Sequence, residues 1–496
     1  MAETVRGAIA RADFASWAAR VASTGYCANP IHLRGLAQET GPDGAPVGPG
    51  ERRSLMVRCG NRRAAVCPSC SFTYAGDVWQ VLASGIAGGR HDVPASVARH
   101  PLVFVTLTAP SFGPVHTTPT SSSGRPLPCR PRRVDDRHRC VHGRPMWCGQ
   151  VHDPTDPGEA RRLGTPLCVG CFDYAGLVAF NWDASQLWGR FTIDLRRDLA
   201  HRLGMSEARL RDVVRVRYAK VAEFQRRGVA HFHAVIRLDG PPTDPTDPTD
   251  DVPDGDPFPP PAIPVSVDTL TAAIKAAAGT ARVAVPDPSD LDGNGLAVVL
   301  RFGRQVDVRP IRASRTIDGQ DLATDDLSAE KVAAYVAKYA TKAADDFGLP
   351  PTVRRAADVD LLGLDVTEHT RRILAVVDQL MVRHPRAYKW AHQLGFRGHF
   401  QTKSRQFSVT LGALRQQRRA WRQTHPTQGL DDPIAGGAGP ARDLADGEDT
   451  DADQTTLVIR WTFAGTGHRT PAEAALAAAA ADLARSRRTA RRSTAA

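Results

Sequence analysis

Residues 214–238 read VRVRYAKVAEFQRRGVAHFHAVIRL. Apolar and polar residues alternate on either side of Gln225-Arg226-Arg227-Gly228, a turn-like break, so 214–224 and 230–238 are expected to pair as an antiparallel hairpin. Period-two alternation places His231 and His233 on one sheet face and Phe232 on the other. Glu223 lies eight residues before His231 and comes level with the histidine pair across a short hairpin. Two imidazoles and a carboxylate suit Mn2+ or Mg2+ with open coordination positions. The competing reading is two histidines and a surface glutamate on a half-exposed strand.

Working outward, PLVFVTLTAP at 101–110 is a β-branched run bounded by prolines, hence a strand. Residues 180–203 carry Trp182, Leu187, Phe191 and Leu195 at helical spacing. A helix at 267–278, one or two strands within 297–311, and a helix at 328–345 opened by a Ser cap complete the order βαββαβ followed by α. The expected class is α+β with an antiparallel sheet. In the last helix, VAAYVAKYATK at 332–342 places Tyr335, Lys338, Tyr339 and Lys342 within one arc of about 100°. A phenol, with a pKa of about 10, is a poor nucleophile at neutral pH, but adjacent lysines favour phenolate and a metal on a phosphate lowers the barrier to attack. The plainer reading is an amphipathic helix with half-buried tyrosines and snorkelling lysines.

All nine cysteines precede residue 172, in tight groups that suit metal ligation in a reducing compartment better than disulfides. Cys59, Cys67 and Cys70, with Cys27 as a fourth thiolate, fit tetrahedral Zn2+. Cys140, Cys148, Cys168 and Cys171 are expected to close a second structural site; His142 could replace one of them, and Cys129 is the odd residue. Closed four-ligand sites brace rather than catalyse.

The chain has 496 residues, 42% of them apolar and 24% charged, with a net charge of +11. This is enough to bury a large core, and the positive balance favours a polyanionic partner. There is no membrane-length apolar run and no signal-peptide core, so the expectation is a cytoplasmic protein without a membrane partner. Between 386 and 422 there are nine Lys or Arg and no Asp or Glu, interleaved with Tyr388, Trp390, Phe396, Phe400, Phe407 and Trp421. Arg397, Lys403, Arg405 and Arg415 are therefore candidate DNA contacts, with the aromatics as stacking groups; the alternative is a solvated basic face over an ordinary aromatic core. Arg125, Arg130, Arg132, Arg133, Arg137 and Arg139 form another basic candidate.

Together the motifs resemble the HUH endonuclease superfamily, specifically rolling-circle replication initiators of actinobacterial plasmids and integrative elements. The resemblance spans roughly residues 27–421 and rests on FVTLTAPSFG (104–113), EFQRRGVAHFH (223–233), YVAKYATK (335–342) and GFRGHFQTKSRQFSVTLGALR (395–415). It implies an HUH-type βαββαβ core at 101–350, with a zinc-binding insertion at 117–172 and an acidic Pro/Asp loop at 241–262. A zinc-knuckle region at 1–100, a basic DNA-binding region at 351–425 and a weakly ordered low-complexity tail at 426–496 would flank it. The implied chemistry is tyrosine attack on single-stranded origin DNA, leaving a 5′-phosphotyrosine and a 3′-OH primer, with later rejoining. No GxxxxGK[ST] loop is present, so a host helicase and a DNA polymerase would be partners. The Tyr-xxx-Tyr spacing resembles the paired nucleophiles of single-stranded-phage A proteins. A KYxxK register selects Tyr339 and a VxxYxxK register selects Tyr335 with Lys338; the reading leans to Tyr339, with Tyr335 as the second group. Alternatives are a mobilisation relaxase or tyrosine transposase of the same class, a non-catalytic zinc-containing DNA-binding regulator, and a hydrolytic nuclease using activated water.

Overall fold

The computed structural model describes residues 4–41, 45–132, 139–242, 256–312, 327–341, 347–424 and 456–494. Lys342, Arg133, Arg137, most of the acidic Pro/Asp loop and the Gly/Asp-rich stretch at 431–453 lie outside the described residues. The strands are β1 (Ile31–Thr40), β2 (Pro46–Val57), β3 (Leu102–Leu107), β4 (Arg215–Phe224), β5 (Ala230–Asp239), β6 (Val283–Pro286), β7 (Ala297–Leu300), β8 (Val306–Arg312), β9 (Leu327–Ser328), β10 (Gln401–Lys403) and β11 (Thr456–Thr466). The longer helices are α1 (Phe14–Ser23), α2 (Pro68–Ala87), α3 (Tyr174–Arg202), α4 (Val267–Thr280), α5 (Ala329–Thr341), α6 (Glu368–Arg383), α7 (Leu411–Thr424) and α8 (Pro471–Thr494). The chain divides into two units, Trp79–Val409, and Met1–Val78 with Thr410–Ala496.

In the unit Trp79–Val409 a six-stranded sheet runs β10-β4-β5-β3-β8-β9, antiparallel throughout except for the parallel β8–β9 pair. The stretch 297–311 supplies two strands of different sheets, since β7 pairs with β6 in a separate hairpin. The β4–β5 turn closes through Gln225 N–H donating to Val229 O (2.9 Å) and Gly228 N–H donating to Gln225 O (2.9 Å). Gly228 has φ +81°, and a Cβ there would meet Ile373 Cδ1 at 2.7 Å, so the turn requires glycine on both counts. Asn181 of α3 fastens this turn. Its buried amide donates to Gly228 O and Leu394 O, both at 2.9 Å, and accepts from Ala230 N–H at 3.0 Å.

Alternation along the central strands decides what each face carries. Val103, Val105 and Leu107 of β3, and Phe232, Ala234, Ile236 and Leu238 of β5, join Leu177, Phe180, Leu187, Phe191 and Leu195 of α3 and Leu270 and Ile274 of α4 in one buried core. Each large side chain removed from water here stabilises the fold by roughly 1.5–3 kcal/mol. Asp173 caps α3 by accepting from Gly176 N–H at 2.7 Å, and Ser266 caps α4 by accepting from Thr269 N–H at 3.0 Å. The opposite face carries Phe104, Thr106, Glu223, His231 and His233, since Glu223 pairs with His231 and Thr106 with His233 in the sheet register.

The other unit holds a three-stranded antiparallel sheet, β11-β1-β2. Here the structure departs from the expected weakly ordered tail. Thr456–Thr466 pairs along the full length of β1, and α8 follows it, with Ala477 buried against Trp17 and Val21 of α1. Trp461 lies over Gly35, where a Cβ would sit 2.7 Å from the indole. The expected boundaries also shift: residues 1–78 group with 410–496, and 351–409 belong with the large sheet. The run TLVIRWTF has strand composition, but a neighbouring Gly/Asp-rich stretch masks it in a reading by segment composition.

Lys220 points to the apolar face of β4. Its Nζ lies 4.1 Å from the Phe232 ring centroid and 5.2 Å from that of Trp188, and burial pulls its pKa down to about 7. A lysine whose folded pKa lies below its unfolded value weakens the fold most when protonated in both states, and this penalty fades as pH rises from about 7 toward about 10.5. Lys220→Met is therefore expected to raise the unfolding temperature by several degrees near pH 6, with the gain shrinking by pH 10, as read by calorimetry across pH; an equal or lower melting temperature at pH 6 would contradict this.

Candidate metal centre and nucleophile helix

Glu223, His231 and His233 converge on a single point. One carboxylate oxygen of Glu223, Oε2, lies 3.0 Å from His231 Nε2 and 3.0 Å from His233 Nε2. Burial works against ionisation of Glu223, but the hydrogen bonds with His231 and His233 outweigh it and hold the carboxyl at about 2. Burial lowers the pKa of His233, against the opposing pull of Glu223, so its imidazole is neutral and available as a ligand at neutral pH. Two imidazoles and a carboxylate fit a divalent ion that takes nitrogen and oxygen donors.

Two further residues orient these rings, and the sequence reading did not single them out. Thr106 Oγ1 lies 3.1 Å from His233 Nδ1, and Gln225 Nε2 lies 3.3 Å from His231 Nδ1. A hydroxyl on Nδ1 fixes which nitrogen of His233 is free to face the cluster. The available signal was register: Thr106 sits in the strand that pairs with the HFH strand, directly opposite His233.

Helix α5 brings both tyrosines to this cluster. The Tyr339 ring stacks on His233 (centroids 5.2 Å apart, 27° between planes), while the Tyr335 ring meets His233 edge-on at 5.4 Å and Tyr339 at 4.7 Å. Phe104 completes the wall, stacked on His233 at 5.7 Å and edge-on to Tyr335 at 5.9 Å. Val332, Ala333, Val336 and Ala337 form the buried side of the helix, leaving Tyr335 and Lys338 exposed and Tyr339 half-buried. Ser328 Oγ accepts from Lys331 N–H at 3.3 Å at the start of the helix. Burial, then the neighbouring Tyr335, raises the Tyr339 pKa above the ordinary phenol value.

The cysteines form three four-ligand groups rather than two. Cys27, Cys59, Cys67 and Cys70 gather as expected, with Sγ···Sγ separations of 3.7 Å for the Cys27–Cys67, Cys59–Cys70 and Cys70–Cys27 pairs. This is close to the edge of a tetrahedron with metal–sulfur bonds of about 2.3 Å. Hydrogen bonds from Cys27, Cys59 and Cys70 pull Cys67 far below the usual thiol range, and backbone N–H groups of Ala28 and Cys59 donate to sulfur at 3.3 Å. The expected set Cys140, Cys148, Cys168 and Cys171 does not assemble. Cys140, Cys168 and Cys171 join His142, while Cys148 joins Cys129, His116 and His152. The reason is local pairing: Arg130 and Cys148 exchange two backbone hydrogen bonds of 2.8 Å, which hold Cys148 beside Cys129 and not beside Cys140.

Several candidate DNA contacts are tied into the fold. Arg397 stacks 4.6 Å over Trp182, donates to Trp182 O at 2.8 Å and pairs with Asp183 at 2.6 Å. Lys403 donates to the backbone carbonyls of Ser404 (3.2 Å), Arg405 (2.9 Å) and Ser408 (2.8 Å), and burial lowers its pKa to about 8. Arg405 and Arg415 are exposed. Phe396, Phe400 and Phe407 are buried, so they are core residues and not stacking platforms, whereas Tyr388 and Trp421 are partly exposed. Phe396, Phe400 and Phe407 thus belong to the core, while Arg405, Arg415, Tyr388 and Trp421 remain on the surface.

No helix among the described residues is long and apolar enough to cross a membrane. Comparison with known proteins places this chain in a family. The model of the replication initiator protein family of pSAM2, RepSA, matches residues 13–482. A replication initiator protein of Streptomyces ambofaciens is 42% identical over 494 residues, covering 97% of this chain and 92% of that relative. No solved structure matches. With nearly its whole length matched, and consistent with the resemblance carried by its motifs, the chain belongs to the RepSA family of replication initiator proteins.

Proposed function

We propose that this initiator binds origin DNA and nicks it as single strand, by tyrosine attack within an HUH-type core. The observation that carries this reading is the convergence of two tyrosine rings on His233, itself joined to Glu223 and His231. A phosphate seated over that cluster would lie beside both phenols. His231, His233 and Glu223 would hold Mn2+ or Mg2+, which when bound draws charge from a non-bridging oxygen of the scissile phosphate.

Tyr339 is the first nucleophile in this reading, because its ring is held parallel to His233, while Tyr335 is the more exposed and serves as the second or resolving group. The phenol gives up its proton, its oxygen bonds to phosphorus, the bond from phosphorus to the 3′ oxygen breaks, and that oxygen takes up a proton. The products are a 5′-phosphotyrosine and a free 3′-OH that primes synthesis. The ester conserves the phosphodiester energy, so rejoining by the 3′-OH needs no nucleotide. Lys338, exposed on the same helix, adds positive charge near the phosphate, and Lys342 is assigned the same role from its spacing. The host helicase and polymerase supply unwinding and extension. Cys27, Cys59, Cys67 and Cys70 would hold a structural Zn2+.

The test is incubation with a single-stranded origin oligonucleotide and Mn2+, followed by denaturing electrophoresis. Wild type and Tyr335→Phe are expected to give a protein–DNA adduct, and Tyr339→Phe to lose it by at least about a hundredfold. An adduct in both single variants that only the double variant loses would make the tyrosines interchangeable and overturn the order. Cleavage without an adduct in wild type would overturn tyrosyl transfer in favour of activated water.

A further inference from the structure

The segment between β3 and α3 carries two four-ligand groups whose members interleave along the chain. Taken in sequence order, His116 and Cys129 form a first pair, Cys140 and His142 a second, Cys148 and His152 a third, and Cys168 and Cys171 a fourth. The first pair converges with the third and the second with the fourth. We infer that this segment is a cross-braced module holding two structural zinc ions, one on His116, Cys129, Cys148 and His152 and the other on Cys140, His142, Cys168 and Cys171.

The geometry of the first group supports an ion. His116 Nδ1 lies 3.1 Å from His152 Nε2 and 3.9 Å from Cys129 Sγ, and Cys148 Sγ lies 3.6 Å from His152 Nε2. With zinc–nitrogen bonds of about 2.0 Å and zinc–sulfur bonds of about 2.3 Å, the edges of a tetrahedron are about 3.3–3.7 Å, close to this set. The outer partners are those of a ligand shell. Glu159 accepts from His152 Nδ1, which leaves Nε2 facing the cluster, and Thr117 N–H donates to Cys129 Sγ at 3.2 Å. Cys129, Cys148 and His152 are all buried, so without an ion these groups would sit together away from water.

The second group is built on a turn: Cys140 N–H donates to Arg144 O at 2.9 Å, Gly143 N–H donates to Cys140 O at 2.8 Å, and His142 Nδ1 comes within 3.2 Å of Cys171 Sγ. Backbone pairing joins the two groups. His116 N–H donates to Thr165 O at 2.9 Å and Leu167 N–H to Pro114 O at 3.0 Å, so the first pair is laid beside the fourth. The assignment uses all nine cysteines of the chain once the Cys27 group is included, so Cys129 is no longer a leftover.

The module also shapes the surroundings of the nuclease hairpin. His116, Cys129 and Arg130 line a cleft of about 1210 Å³ together with Gln225, Arg226 and Arg227 of the β4–β5 turn. The first ion would fasten one wall of that cleft to the other limb of the insertion.

Native mass spectrometry of the full chain carrying His231→Ala and His233→Ala, which removes the nuclease cluster from the count, is expected to show three zinc ions. Adding Cys148→Ala and Cys168→Ala together should remove two of them, because these residues serve different ions; loss of one only would mean a shared site and overturn the crossed pairing. As a check independent of variant folding, zinc-replete wild type is treated with an alkylating reagent and its cysteines are mapped. Cys129 and Cys148 should resist modification and become reactive on chelation, whereas modification of both at a free-thiol rate in the zinc-replete protein would overturn the site.

Discussion

The buried amide of Asn181 is the constraint on which the site depends. It bonds to the carbonyl of Gly228, the N–H of Ala230 and the carbonyl of Leu394, so one side chain of α3 fixes the β4–β5 turn at the end of the sheet. Because side chains alternate with period two, a slip of one residue at this turn would send His231 and His233 into the apolar core and Phe232 out of it. Gly228 makes the turn possible, Asn181 holds it against α3, and the register that follows brings Glu223 opposite His231. An amide with its hydrogen bonds met in the interior is costly to replace, since an apolar substitute leaves buried backbone groups without partners.

Much of this was legible in the sequence, for a physical reason. The hairpin has a short loop, so the separation between Glu223 and the histidines translates directly into proximity, and helical spacing alone places Tyr335 and Tyr339 on one face. What sequence could not give was the pairing of distant ligands. Cys148 follows Cys140 closely, yet a backbone exchange with Arg130 draws it to Cys129. Lys220 falls on the apolar face by the same alternation that places Glu223 on the polar one, but composition gives no hint that a lysine would be buried there. The basic segment at 386–422 divides: Arg397 and Lys403 are engaged with Trp182, Asp183 and backbone carbonyls, a partition that composition does not reveal, while Arg405 and Arg415 stay exposed. The sheet partner of β11 lies more than four hundred residues earlier in the chain, so no local pattern marks their pairing.

The ligand chemistry separates two roles. Groups with four donors, most of them thiolates, suit bracing, whereas Glu223, His231 and His233 offer three nitrogen and oxygen donors on a sheet face. Thr106 and Gln225 stand behind the two rings, so the site is held from the sheet and from its turn, while the tyrosines arrive on a separate helix.

Glu223, His231 and His233 are proposed to form one divalent metal site. Its most direct test is Mn2+ binding to the zinc-replete full chain, followed by electron paramagnetic resonance, in wild type and in Glu223→Gln. One Mn2+ per chain is expected in wild type, with binding weakened by at least about tenfold in Glu223→Gln, whose amide lacks the charge an Mn2+ ligand supplies. Equal Mn2+ affinity in the two proteins would contradict it.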